Sequence, residues 1–151
     1  MGDAFGAHFE FRGDAAELHR QAPAGLWRTT DDTAMALSLV EVLEERGEVD
    51  QDALAAAFAR RYVADPHRGY GGGARRILEA IHAGGDFRRL APGLFPGGSY
   101  GNGAAMRVAP LGAFFTEEPA RCCAQARLSA RVTHTHPEAV DGAVVVALAA
   151  A

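Results

Sequence analysis

The chain has 151 residues, 48% of them hydrophobic and 23% charged, a balance that excludes a disordered segment and predicts one globular domain over residues 1–151. Its formal net charge of −4 offers no basic footprint for nucleic acid. No apolar run approaches the roughly 18 residues of a membrane span, and no basic-then-apolar leader opens the chain, so neither nucleic acid nor membrane is an expected partner.

Apolar residues recur at helical spacing, and period-two alternation is almost absent. The expected fold is therefore all-α, a compact domain of short orthogonal helices joined by glycine- and proline-rich loops. A first helical stub is predicted from about Gly2 to Glu10. A second starts at Thr29-Thr30-Asp31-Asp32-Thr33, carries Met35, Leu39 and Val42 on one face, and ends near Gly47. The third has Asp50 or Asp52 as its cap and Leu54, Phe58 and Tyr62 at spacing four. The loop 65–73 leads into a fourth helix with Ile77, Leu78 and Ile81, which Gly84-Gly85 stops. A long loop from Pro92 to Gly103 comes next, and Ala104-Ala105-Met106 is expected to begin a helix. A helix over about Pro119 to Thr133 and a last one from Pro137 complete the order. The neighbours Cys122 and Cys123 are poor disulfide partners and predict reduced thiols in a cytoplasmic protein.

Chemistry concentrates in four places. Thr30, Asp31 and Asp32 place hard oxygen donors at a helix start, as a solvated cap does and as a Mg²⁺ site does. Neighbouring carboxylates point about 100° apart on a helix, so Asp31 and Asp32 can each serve a different ion. Glu10, between two phenylalanines, is a carboxylate that needs a partner or a metal, and Asp3 is a further candidate for the acidic cluster. The glycine loops Gly69-Tyr70-Gly71-Gly72-Gly73 and Gly98-Ser99-Tyr100-Gly101-Asn102-Gly103 can converge backbone N–H groups on an anion. Their bland counterparts are a hinge and a wide turn, with positive φ expected at Gly101 or at Asn102-Gly103. Tyr70 is an aromatic placed to stack on a base or sugar. Neither loop ends in Gly-Lys-Ser/Thr, so a nucleotide-triphosphate loop is excluded. His134 and His136 lack a third zinc ligand, so one is expected to hydrogen-bond inside a site and the other to cap the helix at Pro137.

Taken in order, Gly2-Asp3-Ala4-Phe5-Gly6…Glu10, Thr30-Asp31-Asp32-Thr33, Arg68-Gly69-Tyr70-Gly71, Gly98 to Arg107 and Thr133-His134 resemble the ADP-ribosylglycohydrolase family, of the dinitrogenase reductase-activating type. The glycine loops look most like the branch that includes ADP-ribosylserine hydrolase. The resemblance implies hydrolysis of ADP-ribosyl linkages, on modified proteins or small conjugates, with two Mg²⁺ ions (or Mn²⁺) in a central cleft. It makes Thr30, Asp31, Asp32 and Glu10 metal ligands, with Glu10, Asp31 and Asp32 catalytic. It assigns substrate contacts to Gly69, Tyr70, Gly71, Gly73, Gly98, Ser99, Tyr100, Gly101, Asn102 and His134. The family's later Asp-x-Asp-Thr motif is missing: no acidic residue follows Asp141, and Asp50-Gln51-Asp52 comes too early. The chain is thus expected to be an N-terminal portion, incomplete at its C-terminus. Its apolar last helix, around Val144, Val145 and Leu148, is then a surface for association. A non-catalytic ADP-ribose-binding module and a half-domain that needs a second chain are the rival expectations.

Overall fold

Thr30 and Asp50 are short polar residues placed just before helical apolar periods, and both cap helices. The Thr30 hydroxyl accepts from the Asp32 N–H at 3.3 Å, and the Asp50 carboxylate accepts from the N–H groups of Asp52 and Ala53 at 3.0 Å. A computed structural model describes residues 1–9 and 24–151; Glu10 lies outside the described residues. Among those described are eight α-helices, a single 3-10 turn and no strand, as an all-α chain requires. In chain order they are α1 (Gly2–Gly6), α2 (Asp31–Arg46), α3 (Gln51–Ala64), α4 (Gly72–His82), α5 (Phe87–Gly93), α6 (Ala109–Phe114), α7 (Pro119–Arg131) and α8 (Pro137–Ala150), with the 3-10 turn at Asn102–Ala104.

The predicted apolar faces are the buried ones. Met35, Leu39 and Val42 of α2, Leu54, Phe58 and Tyr62 of α3, and Ile77 and Leu78 of α4 all enter one core. Helix α3 packs between α2 and α4, α6 bridges α2 and α8, and α7 lies along α8. Each large aliphatic side chain removed from water in this way stabilises the fold by about 1.5–3 kcal/mol. Polar side chains lock the helix connections: the Val49 N–H donates to the side-chain Oε1 of Gln125 in α7 at 2.5 Å, and Tyr62 donates its hydroxyl to Glu79 at 2.6 Å.

Three expectations need correction. A helix not expected from the sequence, α5, is capped by Asp86 through the Arg88 N–H at 3.0 Å; Pro92, where the long loop is expected to begin, sits inside its last turn. No α-helix starts at Ala104: the 3-10 turn at Asn102–Ala104 comes first, and α6 begins only at Ala109. Val144 does not face solvent. It is buried with Ala143 and Ala147 on the inner side of α8, and only Val145, Val146 and Leu148 form the exposed apolar strip. No helix of the described residues is long and apolar enough to cross a membrane, and Cys122 and Cys123 are both free thiols.

Helices α6 and α8 approach so closely that a Cβ at Gly112 would collide with the Ala147 carbonyl oxygen and lie 3.0 Å from the Ala150 methyl. Backbone cannot rotate away as a side chain can, so Gly112→Ala should destabilise the protein by about 1–3 kcal/mol. Urea unfolding checks this; an unchanged midpoint would mean that the two helices are not in contact.

Candidate functional site

The acidic start of α2 is built from two directions. Asp3, from α1, accepts from the Thr30 N–H at 2.9 Å and the Thr30 hydroxyl at 2.6 Å, and also from the N–H and hydroxyl of Thr33. Burial pushes the Asp3 carboxyl up, but these four hydrogen bonds outweigh it and hold the group below the usual carboxylate range. Asp3 thereby fixes the acidic turn, with both of its oxygens engaged. The Thr30 hydroxyl also stands 3.0 Å from an Asp32 carboxylate oxygen, and its one proton serves Asp3 or Asp32, never both. These donors are all hard oxygens, the chemistry that suits Mg²⁺. They form one wall rather than a cage: among the described residues no three His, Cys, Asp or Glu side chains converge as metal ligands.

The first glycine loop is fastened to this turn. The Asp31 N–H donates to the Arg68 carbonyl at 2.7 Å, while the Arg68 guanidinium donates to the Thr29 carbonyl at 3.0 Å and hydroxyl at 2.7 Å. A Cβ at Gly69 would lie 3.5 Å from an Asp31 carboxylate oxygen. Tyr70 turns inward. Its ring meets Tyr62 edge-on at 5.0 Å and is 2% exposed, so the stacking face expected for a base or sugar is covered by core. Burial first, and then the Asp31 charge, push its hydroxyl up to about 12.

The second loop is pressed against the α7–α8 connection. Gly98 has φ +85°, and a Cβ there would collide with the Thr135 hydroxyl and lie 2.8 Å from the His136 nitrogen, so this position requires glycine twice over. Gly101 has φ −62°, outside the positive region, and Gly103 is also absent from the positive-φ glycines. What Gly103 supplies is space: a Cβ would lie 2.7 Å from His134 Cε1. His134 is buried, with Nδ1 2.7 Å from the Thr133 hydroxyl, whereas His136 caps α8 through the Glu138 N–H at 3.3 Å. Burial chiefly, with the nearby Arg107 charge, pushes the His134 imidazole down to about 3.

One cleft of about 210 Å³ gathers these pieces. Asp31, Gly71, Gly73, Ser99, Gly101, Asn102 and His134 line it, together with Met35, Phe95, Met106 and Thr133. Thr30, Asp32, Gly69, Tyr70, Gly98 and Tyr100 are not among its lining residues. Tyr100 stands 74% exposed, edge-on to the His136 ring. Phe95 supplies the aromatic surface that Tyr70 does not, and its ring closes over Gly73 at 2.8 Å from where a Cβ would be. Nothing in the sequence near Phe95 marks it, since it lies in a loop without periodicity. A larger cleft of about 550 Å³ lies between α3 and the α4–α5 turn and contains none of the candidate residues. Convergence of polar groups, rather than volume, makes the smaller one the candidate.

The sequence model of ADP-ribosylglycohydrolase matches residues 1–151. The chain is 37% identical over 169 residues to the ADP-ribosylhydrolase ARH3 of Bos taurus, covering 99% of this chain and 46% of that protein. It is 40% identical over 124 residues to the Homo sapiens ADP-ribosylhydrolase ARH3, covering 80% of this chain and 34% of that protein. To the ADP-ribosyl-(dinitrogen reductase) glycohydrolase of Rhodospirillum rubrum it is 33% identical over 148 residues, covering 91% and 49%. The aligned regions thus span about a third to a half of these curated relatives.

The depressed imidazole has a consequence for stability. Below pH 6.5 an unfolded His134 takes a proton that the folded site refuses until about pH 3, so the unfolded state binds more protons across that window. Stability from this residue is complete above pH 6.5 and falls as pH drops. Compared with His134→Gln, the wild type should lose about 1.4 kcal/mol for each pH unit well below 6.5. Parallel pH-stability curves for the two proteins would contradict the buried, neutral histidine.

Proposed function

Because the chain belongs to the ADP-ribosylglycohydrolase family, we propose that its cleft is part of a Mg²⁺-dependent site that hydrolyses ADP-ribosyl linkages, releasing ADP-ribose from a modified protein side chain or a small conjugate. The observation that carries this reading is the meeting of the acidic α2 turn, both glycine loops and His134 around one cleft. In such hydrolysis water attacks the anomeric carbon of the ribose, the bond to the acceptor breaks, and a proton passes to the leaving group through an oxocarbenium-like state. Asp31, Asp32 and Glu10 are the carboxylates proposed for the water's proton and the developing positive charge. Thr30, Asp31, Asp32 and Glu10 would hold Mg²⁺, two ions in the full site or Mn²⁺ in its place. The metal would supply Lewis acidity and orient the ribose hydroxyls. The loop residues Gly71, Gly73, Ser99, Gly101 and Asn102 would grip the diphosphate and riboses, so that binding energy remote from the bond orients it. Free thiols at Cys122 and Cys123 fit a reducing, cytoplasmic compartment.

A second reading rests on the open acidic wall: without three converging metal ligands among the described residues, the cleft would bind ADP-ribose and not cut it. The exposed strip Val145, Val146 and Leu148 on α8 suits a version in which another polypeptide segment completes the site. Metal-dependent turnover separates these readings from hydrolysis by this chain.

Asp31→Ala should lower hydrolysis of an ADP-ribosylated peptide by at least about 100-fold, since it removes a hard ligand and a carboxylate together. Wild-type turnover that persists in excess chelator would sink the metal assignment. Gly101→Val should weaken binding of free ADP-ribose more than about tenfold in calorimetry. The new side chain would stand 3.5 Å from His134 Nε2 and enter the cleft, while the ordinary φ leaves the fold unstrained. Unchanged affinity would make this loop a turn without a ligand.

A further inference from the structure

Arg107 has entered so far only as part of a motif and as a charge near His134, yet it is the largest fully buried side chain among the described residues. Its guanidinium forms no ion pair among the described residues. Instead it donates to three neutral oxygens: the Gly103 carbonyl at 3.0 Å, the Ser129 carbonyl at 2.8 Å and the Thr133 hydroxyl at 2.9 Å. Its face lies over the Phe58 ring, with Cζ 4.5 Å from the centroid. Burial pushes its pKa down to about 9, which still leaves it charged at neutral pH.

The direction of these hydrogen bonds settles a proton further along. Arg107 has only donors, so the Thr133 oxygen must accept from it. Thr133 is 1% exposed, and His134 Nδ1, 2.7 Å from its hydroxyl, is the acceptor the described residues offer that proton. A buried hydroxyl proton left unmatched is unfavourable, so Thr133 donates to Nδ1. Nδ1 then carries no hydrogen, and the imidazole proton must be on Nε2. That nitrogen makes no hydrogen bond to the described residues, and it is the ring atom nearest to where Gly101, a cleft residue, would carry its Cβ.

We propose that Arg107 and Thr133 are positioning residues that hold His134 in its Nε2–H tautomer, so that the cleft wall presents a fixed, uncharged donor to an oxygen acceptor of the bound ADP-ribose group. The proposal rests on the ADP-ribose reading of the cleft for its ligand, but not for its tautomer. The donor is uncharged because Nδ1 takes the Thr133 hydrogen bond, and burial with the nearby Arg107 charge pushes the imidazole pKa down to about 3. A substrate oxygen is therefore recognised by direction, without an ion pair that would also attract other anions. The same guanidinium fixes the Gly103 carbonyl, so the ring and the glycine loop it packs against share one anchor.

The test combines long-range nitrogen NMR of the imidazole with calorimetry using free ADP-ribose. In the wild-type protein without ligand, the nitrogen shifts should identify Nε2 as protonated and Nδ1 as bare. Thr133→Val, close to isosteric and without the hydroxyl, should give a tautomer mixture and bind ADP-ribose about 5- to 10-fold more weakly. Thr133→Ser, which keeps the relay, should restore both. A wild-type His134 protonated on Nδ1 would overturn the proposal, whatever the variants do. So would Thr133→Val with an altered tautomer and unchanged affinity, because the donor would then have no ligand to serve. If the wild type fails to bind ADP-ribose at all, the functional reading of the cleft falls, and the nitrogen shifts alone decide the relay.

Discussion

A charged guanidinium inside an apolar core must find oxygens to donate to, and the folded chain is arranged around that demand at Arg107. Its partners come from the second glycine loop, the end of α7 and the connection to α8, while Phe58 of α3 covers its face. Leaving such a cation unsatisfied would cost several kcal/mol, so these segments hold their places together or not at all. The loop that borders the cleft is for this reason an extension of the core.

Asp3 plays the matching part on the acidic side. It is a carboxylate whose oxygens are engaged by Thr30 and Thr33, and it ties α1 to the first turn of α2 across 27 residues of sequence. The two anchors have opposite charge and stand behind opposite parts of the site. Carboxylates gather at the α2 turn, where a cation is favoured. A buried positive charge stands behind the Gly103 loop, where three neutral oxygens hold it. Between them, Arg68 fastens the first glycine loop to Thr29, and the Asp31 N–H fastens it again from the other side.

The aromatic residues show how loop chemistry escapes a linear reading. Tyr70 and Tyr100 sit inside the two glycine motifs, and both are absent from the cleft: one is in the core against Tyr62, the other is on the surface against His136. Phe95, outside both motifs, takes the cleft position because Gly73 leaves room for its ring. The glycine motif led to an aromatic expected at Tyr70, and side-chain direction puts Tyr70 in the core and Phe95 at the cleft instead.

The sequence by itself determined the all-α class and the buried faces of α2, α3 and α4, and it narrowed the caps to Thr29 or Thr30, Asp50 or Asp52, and one of His134 and His136. These depend on interactions within about four residues, which periodicity and cap chemistry record directly. It also marked Asp31, the glycine loops and His134 as one group through their resemblance to a family. Helix α5 and helix α6 were hidden because Pro92 and Gly112 weaken the local signal that long-range packing restores. Only the tertiary structure decided that Tyr70 turns inward, that Gly98 rather than Gly101 has the left-handed backbone, that Val144 is buried, and that Arg107 lies beneath the site. Each of these is set by a partner distant in sequence: Tyr62 for Tyr70, Thr135 for Gly98, Ser129 and Thr133 for Arg107. Burial and hydrogen-bond satisfaction are properties of the assembled chain, and no window of neighbouring residues contains them.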